Sequence, residues 1–108
     1  MEIQNEIAGF MKILAEYDDQ LEKMGIVATE FPENGVCMRM LGPMPLLQHA
    51  RWMIGKMKEH MSDLASYDSA KMHRWLGFIQ AILWSNEKQS IQNLKDQVIR
   101  NLIKPQAP

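Results

Sequence analysis

IQNEIAGFMKILAEYDDQLEKMG, residues 3–25, decides the fold. Its apolar residues Ile3, Ile7, Phe10, Leu14, Tyr17, Leu21 and Met24 alternate spacings of four and three. That is the seam of an amphipathic helix, with charged residues on the opposite side. Gly25 stands where a helix-ending glycine belongs. At about 1.5 Å per residue such a helix is roughly 33 Å long, enough for the spine of a bundle or for a contact between subunits.

Outward from it the pattern changes. Residues 26–41, IVATEFPENGVCMRML, place β-branched and apolar residues around Pro32-Glu33-Asn34-Gly35. The Pro and the Asn-Gly are turn chemistry, so the stretch reads as a short β-hairpin or as an irregular loop. Gly42-Pro43 punctuates, and Pro45 suits the first turn of a second helix. The stripe of that helix is Leu46, Leu47, Ala50, Met53, Ile54, Met57 and Met61, ending near Ser62-Asp63. Ser66 or Asp68 is the next N-cap. A third helix from Ser69 to Asn86 carries Met72, Trp75, Leu76, Ile79, Ile82 and Leu83, widened by Phe78. Ser90 caps a fourth with Ile91, Leu94, Val98 and Leu102, and Pro105 stops it. The expectation is a mainly α, four-helix single domain over residues 1–104, with a loose tail at 105–108.

Composition narrows the function classes. The chain has 108 residues, 12 Lys+Arg, 13 Asp+Glu and one Cys. One Cys excludes an intramolecular disulfide, and Cys37 has no Cys or His beside it. The near-neutral charge gives no electrostatic case for nucleic-acid binding. The densest apolar run, Trp75 to Trp84, is far shorter than the roughly 20 residues of a membrane span, and MEIQNEIAGF lacks a signal-peptide pattern. The reading is a soluble protein of a reducing cytoplasm. The charge is uneven: residues 2–24 carry six acids and two bases, while residues 44–108 are net basic. The two parts would attract each other within one chain or across a subunit boundary. No H-E-x-x-H, Cys-x-x-Cys, phosphate-cradling Gly loop or Gly-x-Ser-x-Gly occurs. His49, His60 and His73 share no metal-binding spacing. No catalytic residue, metal or cofactor is therefore assigned.

Two tryptophans depart from the helical pattern. Trp52 lies about 155° from the centre of the second helix's stripe, on the polar side with Lys56 and with His49 nearby. It is either covered by another segment of the chain or serves as the aromatic anchor of a partner-binding face, His49, Trp52 and Lys56, with a polar rim. Trp84 lies off the third helix's stripe beside Gly77 and Ala81, a notch that lets another helix approach closely. Gly77, Ala81 and Trp84 are the expected subunit contact, with a dimer favoured. A second class of function uses Arg51, Trp52 and Arg74 as a nucleotide clamp, cations on phosphate and an indole on the base. A small helical enzyme is the third.

At PLLQHARWM (45–53), HRWLGFIQAILW (73–84) and SIQNLKDQVIR (90–100) the chain resembles small helical proteins encoded by phages and prophages. These share an Arg-Trp-Leu-Gly-Phe-Ile/Val-Gln core helix, followed by a capped Thr/Ser-Ile-x-x-Leu-Lys/Arg-Asp helix. The resemblance covers roughly the C-terminal half of this chain. It implies a phage accessory role in the host cytoplasm, anti-host or anti-defence, exerted by binding a host protein rather than by a reaction. Phage sponges that trap signalling nucleotides are similar in theme, and make nucleotide sequestration the alternative. No motif carries over from them residue by residue.

Overall fold

The computed structural model describes residues 2–30 and 42–104. Four helices follow in order: α1 (Ile3–Lys23), α2 (Pro43–Met61), α3 (Ser69–Ser85) and α4 (Ile91–Val98). The chain continues from α4 through a wider, π-type turn at Ile99–Ile103.

Each helix ends for a local reason. After α1, Gly25 takes φ 77°. Its N–H bonds the Glu22 carbonyl at 2.9 Å and the Ile26 N–H bonds the Leu21 carbonyl at 3.0 Å. This pair of bonds closes the helix and turns Ile26 into the core beside Leu21. Pro43 opens α2, where a missing N–H costs nothing. Asp68 caps α3 by accepting from the Lys71 N–H at 3.0 Å, and Ser90 caps α4 by accepting from the Asn93 N–H at 3.0 Å. The α3 terminus repeats the α1 closure, with Lys88 N–H to Leu83 O at 2.8 Å and Glu87 N–H to Trp84 O at 3.0 Å. Here the left-handed position falls on Glu87, φ 60°, instead of a glycine.

The core is one cluster. From α1 it takes Phe10, Ile13, Leu14, Tyr17 and Leu21; from α2, Leu47, Ala50, Met53, Ile54, Met57 and Met61; from α3, Met72, Leu76, Ile79, Ile82 and Leu83. Leu94 and Leu102 complete it from the C-terminal helix. The seam read from residues 3–25 therefore holds in its middle, while Ile3 and Met24 at its ends are exposed. Ile13, outside that seam, is fully buried.

The closest pairings are α2 with α3, α1 with α2, and α1 with the wide turn after α4. The last of these depends on Gly9. A Cβ there would collide with the Asn101 carbonyl oxygen and sit 2.8 Å from Leu102 Cδ2. The Asn101 side chain bonds back to the Gln97 carbonyl at 2.8 Å, inside the same wide turn.

The hairpin expectation is corrected on the described part of that stretch. Residues 26–30 form no strand. The Schellman closure buries Ile26, and the Thr29 N–H then bonds Gln48 O on α2 at 3.1 Å. One hydrogen bond thus ties this segment to a helix, and among the described residues it has no strand partner. Residues 31–41, including Cys37, and the tail at 105–108 lie outside the described residues. Among the described residues no helix is long and apolar enough to cross a membrane.

Candidate functional site

The spacing of His49, Trp52 and Lys56 puts all three on one side of α2, and the structure brings them together. His49 stacks on Trp52 with centroids 5.3 Å apart, and Lys56 Nζ lies 5.7 Å from the Trp52 ring centre. The row continues onto α3. Trp52 stacks against Trp75 at 6.4 Å, Lys71 Nζ covers Trp75 at 5.3 Å, and Phe78 meets His49 edge-on at 6.4 Å. Trp52 is half-buried and packs on the core. The polar side of α2 tolerates this indole because α3 covers it within the chain. Aromatic contacts add about 0.5–1.5 kcal/mol each, so the two that cross between helices, Trp52–Trp75 and His49–Phe78, also fasten α2 to α3.

Arg51 points to a different neighbour. Its guanidinium donates to Asp18 Oδ1 at 3.0 Å and to the Ile26 carbonyl at 2.6 Å, with Glu22 at 3.7 Å. Lys58 adds a 3.8 Å contact to Asp18. The acids of α1 thus meet bases of α2 inside one chain. Arg74 is exposed on α3. The proposed nucleotide clamp is not assembled, since Arg51 is held by α1 while Trp52 faces α3.

Gly77, Ala81 and Trp84 do come together, and α4 supplies a second wall. They line a cavity of about 430 Å³ between α3 and α4 with Ile91, Leu94, Lys95, Val98, Ile99 and Ile103. Trp84 is 53% exposed, Ile99 43% and Ile103 63%. Ile91, expected on α4's packed stripe, is instead 46% exposed on this wall. A Cβ added at Gly77 would meet nothing within 4 Å. The α3 wall carries no charge from Trp75 to Asn86.

The floor of the groove is tied to a buried polar network. Gln80 Nε2 donates to the Tyr17 hydroxyl at 3.2 Å, Tyr17 donates to Gln97 Oε1 at 2.5 Å, and Gln97 Nε2 donates to Glu16 at 3.0 Å. Burial pushes the Tyr17 hydroxyl up to about 12, with the Gln80 bond pulling the other way and the Glu16 carboxylate adding to the rise. Gln20 holds the turn between α3 and α4, donating to Lys88 O at 3.0 Å and accepting from Gln89 at 2.8 Å. Both walls therefore stand on α1, which fixes the width of the groove.

Sequence reading missed one cluster. Glu6 Oε1 accepts from Ser69 Oγ at 2.7 Å and meets His73 Nε2 at 2.7 Å, and Phe10 lies edge-on to the His73 ring at 4.9 Å. Tyr67 has its hydroxyl buried beside Glu6 and Ser69 without a hydrogen bond of regular geometry. Burial, then the Glu6 charge, pushes it up to about 12. The i,i+4 spacing of Ser69 and His73 was a visible signal that they share a face. Their partner more than 60 residues earlier was not. The serine and the histidine both address one carboxylate oxygen, so the cluster latches α1 to α3 and presents no serine activated by a histidine.

Among the described residues no three His, Cys, Asp or Glu side chains group as metal ligands. No protein-family model matches the chain, and no curated protein and no solved structure matches it either.

Proposed function

We propose that this chain is a non-enzymatic protein-binding module whose working face is the groove between α3 and α4. One observation carries the reading: an uncharged helix face and a largely apolar helix wall flank an open groove of about 430 Å³. Burying exposed indole and isoleucine surface there gains about 25 cal/mol per Å² before the costs of association. The face on α2 is a weaker choice, because Trp75 already covers Trp52. The phage-protein resemblance supports a host protein as the partner and an accessory, anti-host or anti-defence role. A second copy of the chain is the other reading. The open notch at Gly77 favours it, since a helix packed there is free to approach closely.

The test is site-specific crosslinking in host cells, with a photoreactive residue at Ala81 in the groove or at Glu59 on α2. The proposal expects a protein adduct from Ala81 that Trp84→Ala removes, and none from Glu59. Adducts from Glu59 alone contradict it. Light scattering at tens of micromolar separates a second copy from a foreign partner. Thermal shift with cyclic and linear nucleotides tests sequestration, which would raise the melting temperature.

A further inference from the structure

The charges around the groove narrow its occupant. Lys95 is the charged side chain among the lining residues, and none of them is acidic. From Ser69 to Lys104 the chain has six basic residues and two acidic ones. One of those acids, Asp96, accepts from Gln92 at 2.9 Å. Lys95, Arg100 and Lys104 are exposed, and among the described residues they make no ion pair. The C-terminal wall is thus apolar toward the groove apart from Lys95, and residues 91–104 carry three cations against one acid.

We infer that the groove takes an acidic amphipathic helix of another protein. Its apolar residues seat against Gly77, Ala81 and Trp84, and a carboxylate on its flank pairs with Lys95. This rests on the protein-binding reading above. A small ligand fits less well. Apolar pockets orient small molecules with a few convergent polar groups. Here Gln80 is engaged by Tyr17 and Lys95 stands alone. An added strand finds no sheet edge, since both walls are helices. A third helix laid between two others is an ordinary packing solution, read through anchors at i, i+3/i+4 and i+7. The wall from Ile91 to Ile103 spans 13 residues, so it accommodates about three turns of such a helix. A second copy matches poorly in charge. Two-fold pairing of the groove with itself sets the net-positive stretch 91–104 of one copy against that of the other. The acidic α1 has its apolar seam buried and offers Ile3 and Met11 as large exposed apolar residues.

The test uses the full chain and two fluorescein-labelled synthetic peptides, each an amphipathic helix of about four turns with leucine anchors. One carries glutamates on its flanks, the other lysines at the same positions. At low salt the acidic peptide should bind about five- to tenfold tighter than its basic twin, with the difference shrinking as salt screens it. Lys95→Glu should weaken the acidic peptide about fivefold and strengthen the basic one. Ala81→Glu, at an exposed position, should abolish binding of both. Equal binding of the two peptides, or a preference unmoved by Lys95→Glu, overturns the acidic-helix inference and leaves groove binding standing. If neither peptide binds and light scattering shows a dimer that Ala81→Glu dissociates, the occupant is a second copy and the inference fails. If neither binds and the chain is a monomer, the inference and the protein-binding reading both fail.

Discussion

Replacing Gly9 by alanine should destabilise the protein, although alanine is the better helix former. Inside α1 the exchange gains about 1 kcal/mol of helix propensity. Against this stands the approach of the turn after α4. The added Cβ overlaps the Asn101 carbonyl oxygen and lies 2.8 Å from Leu102 Cδ2 and 3.0 Å from Asn101 C. The Leu102 tip, the far end of a flexible side chain, is the cheaper of the two to displace. The Asn101 backbone moves only if the whole turn Ile99–Ile103 shifts, and with it Leu102, which is buried in the core. Because the clash is with backbone, the overpacking should cost the upper part of the usual range, about 2–3 kcal/mol, so the net loss should be about 1–2 kcal/mol. For a domain of this size that lowers the melting temperature by about 5–15 °C and the urea midpoint without changing the slope. Gly55→Ala in α2 is the control. A Cβ there meets nothing within 4 Å, and this exchange should stabilise by about 0.5–1 kcal/mol. If Gly9→Ala matches the gain at Gly55, α1 and the end of α4 are not in this close contact.

The other expected outcomes are more local. Gly77→Ala should also stabilise the fold by about 0.5–1 kcal/mol, since its Cβ meets nothing within 4 Å, while weakening any helix packed in the notch. Opposite signs in chemical unfolding and in peptide binding are the expected pair. Glu87→Gly should stabilise by up to about 1 kcal/mol, because a non-glycine residue at φ 60° carries a steric cost that glycine lacks. Urea unfolding that shows a loss would refute it. Tyr17, fully buried and raised to about 12 from 10.0, favours the folded state with its proton on. Its contribution is complete below about pH 10, where free tyrosine is still protonated. It then falls by about 1.4 kcal/mol per pH unit as pH rises toward 12. Unfolding free energies across that window should slope downward, and Tyr17→Phe should flatten part of the slope. Arg51→Ala should cost about 1–3 kcal/mol by leaving the partly buried Asp18 and the Ile26 carbonyl without their donor, whereas Lys56→Ala, at an exposed ion pair, should change stability by less than about 1 kcal/mol.

What was legible in the residues followed from distance along the chain. Caps at Gly25 and Ser90 act within about one turn and could be read directly, and Asp68 was one of two candidates for the cap of α3. The groove wall on α3 was also legible, since Gly77, Ala81 and Trp84 share one face of one helix in an uncharged run. The wall from α4 was not. Ile91 follows the same apolar rhythm as Leu94, and only the placement of α3 decides that one is open and the other covered. The cover over Trp52 depends on Trp75, 23 residues away, and on the phase in which α2 meets α3. The need for glycine at position 9 depends on a carbonyl at residue 101. Such contacts arise from how faces meet, and no local pattern records them. The Asn-Gly turn chemistry suggested a strand pair where Ile26 and Thr29 instead bond to α2 and the core.

The three tryptophans give the central claim its most direct test. Trp84 lines the groove, while Trp52 and Trp75 stack on each other across α2 and α3. Each contributes one indole N–H signal to a nitrogen–proton correlation spectrum of the labelled protein. Titration with the acidic amphipathic peptide should shift the Trp84 indole together with the backbone amides of Gly77, Ala81 and Lys95, and leave the Trp52 and Trp75 indoles in place. Shifts at Trp52 with Trp84 unmoved would contradict the account and return the binding face to α2.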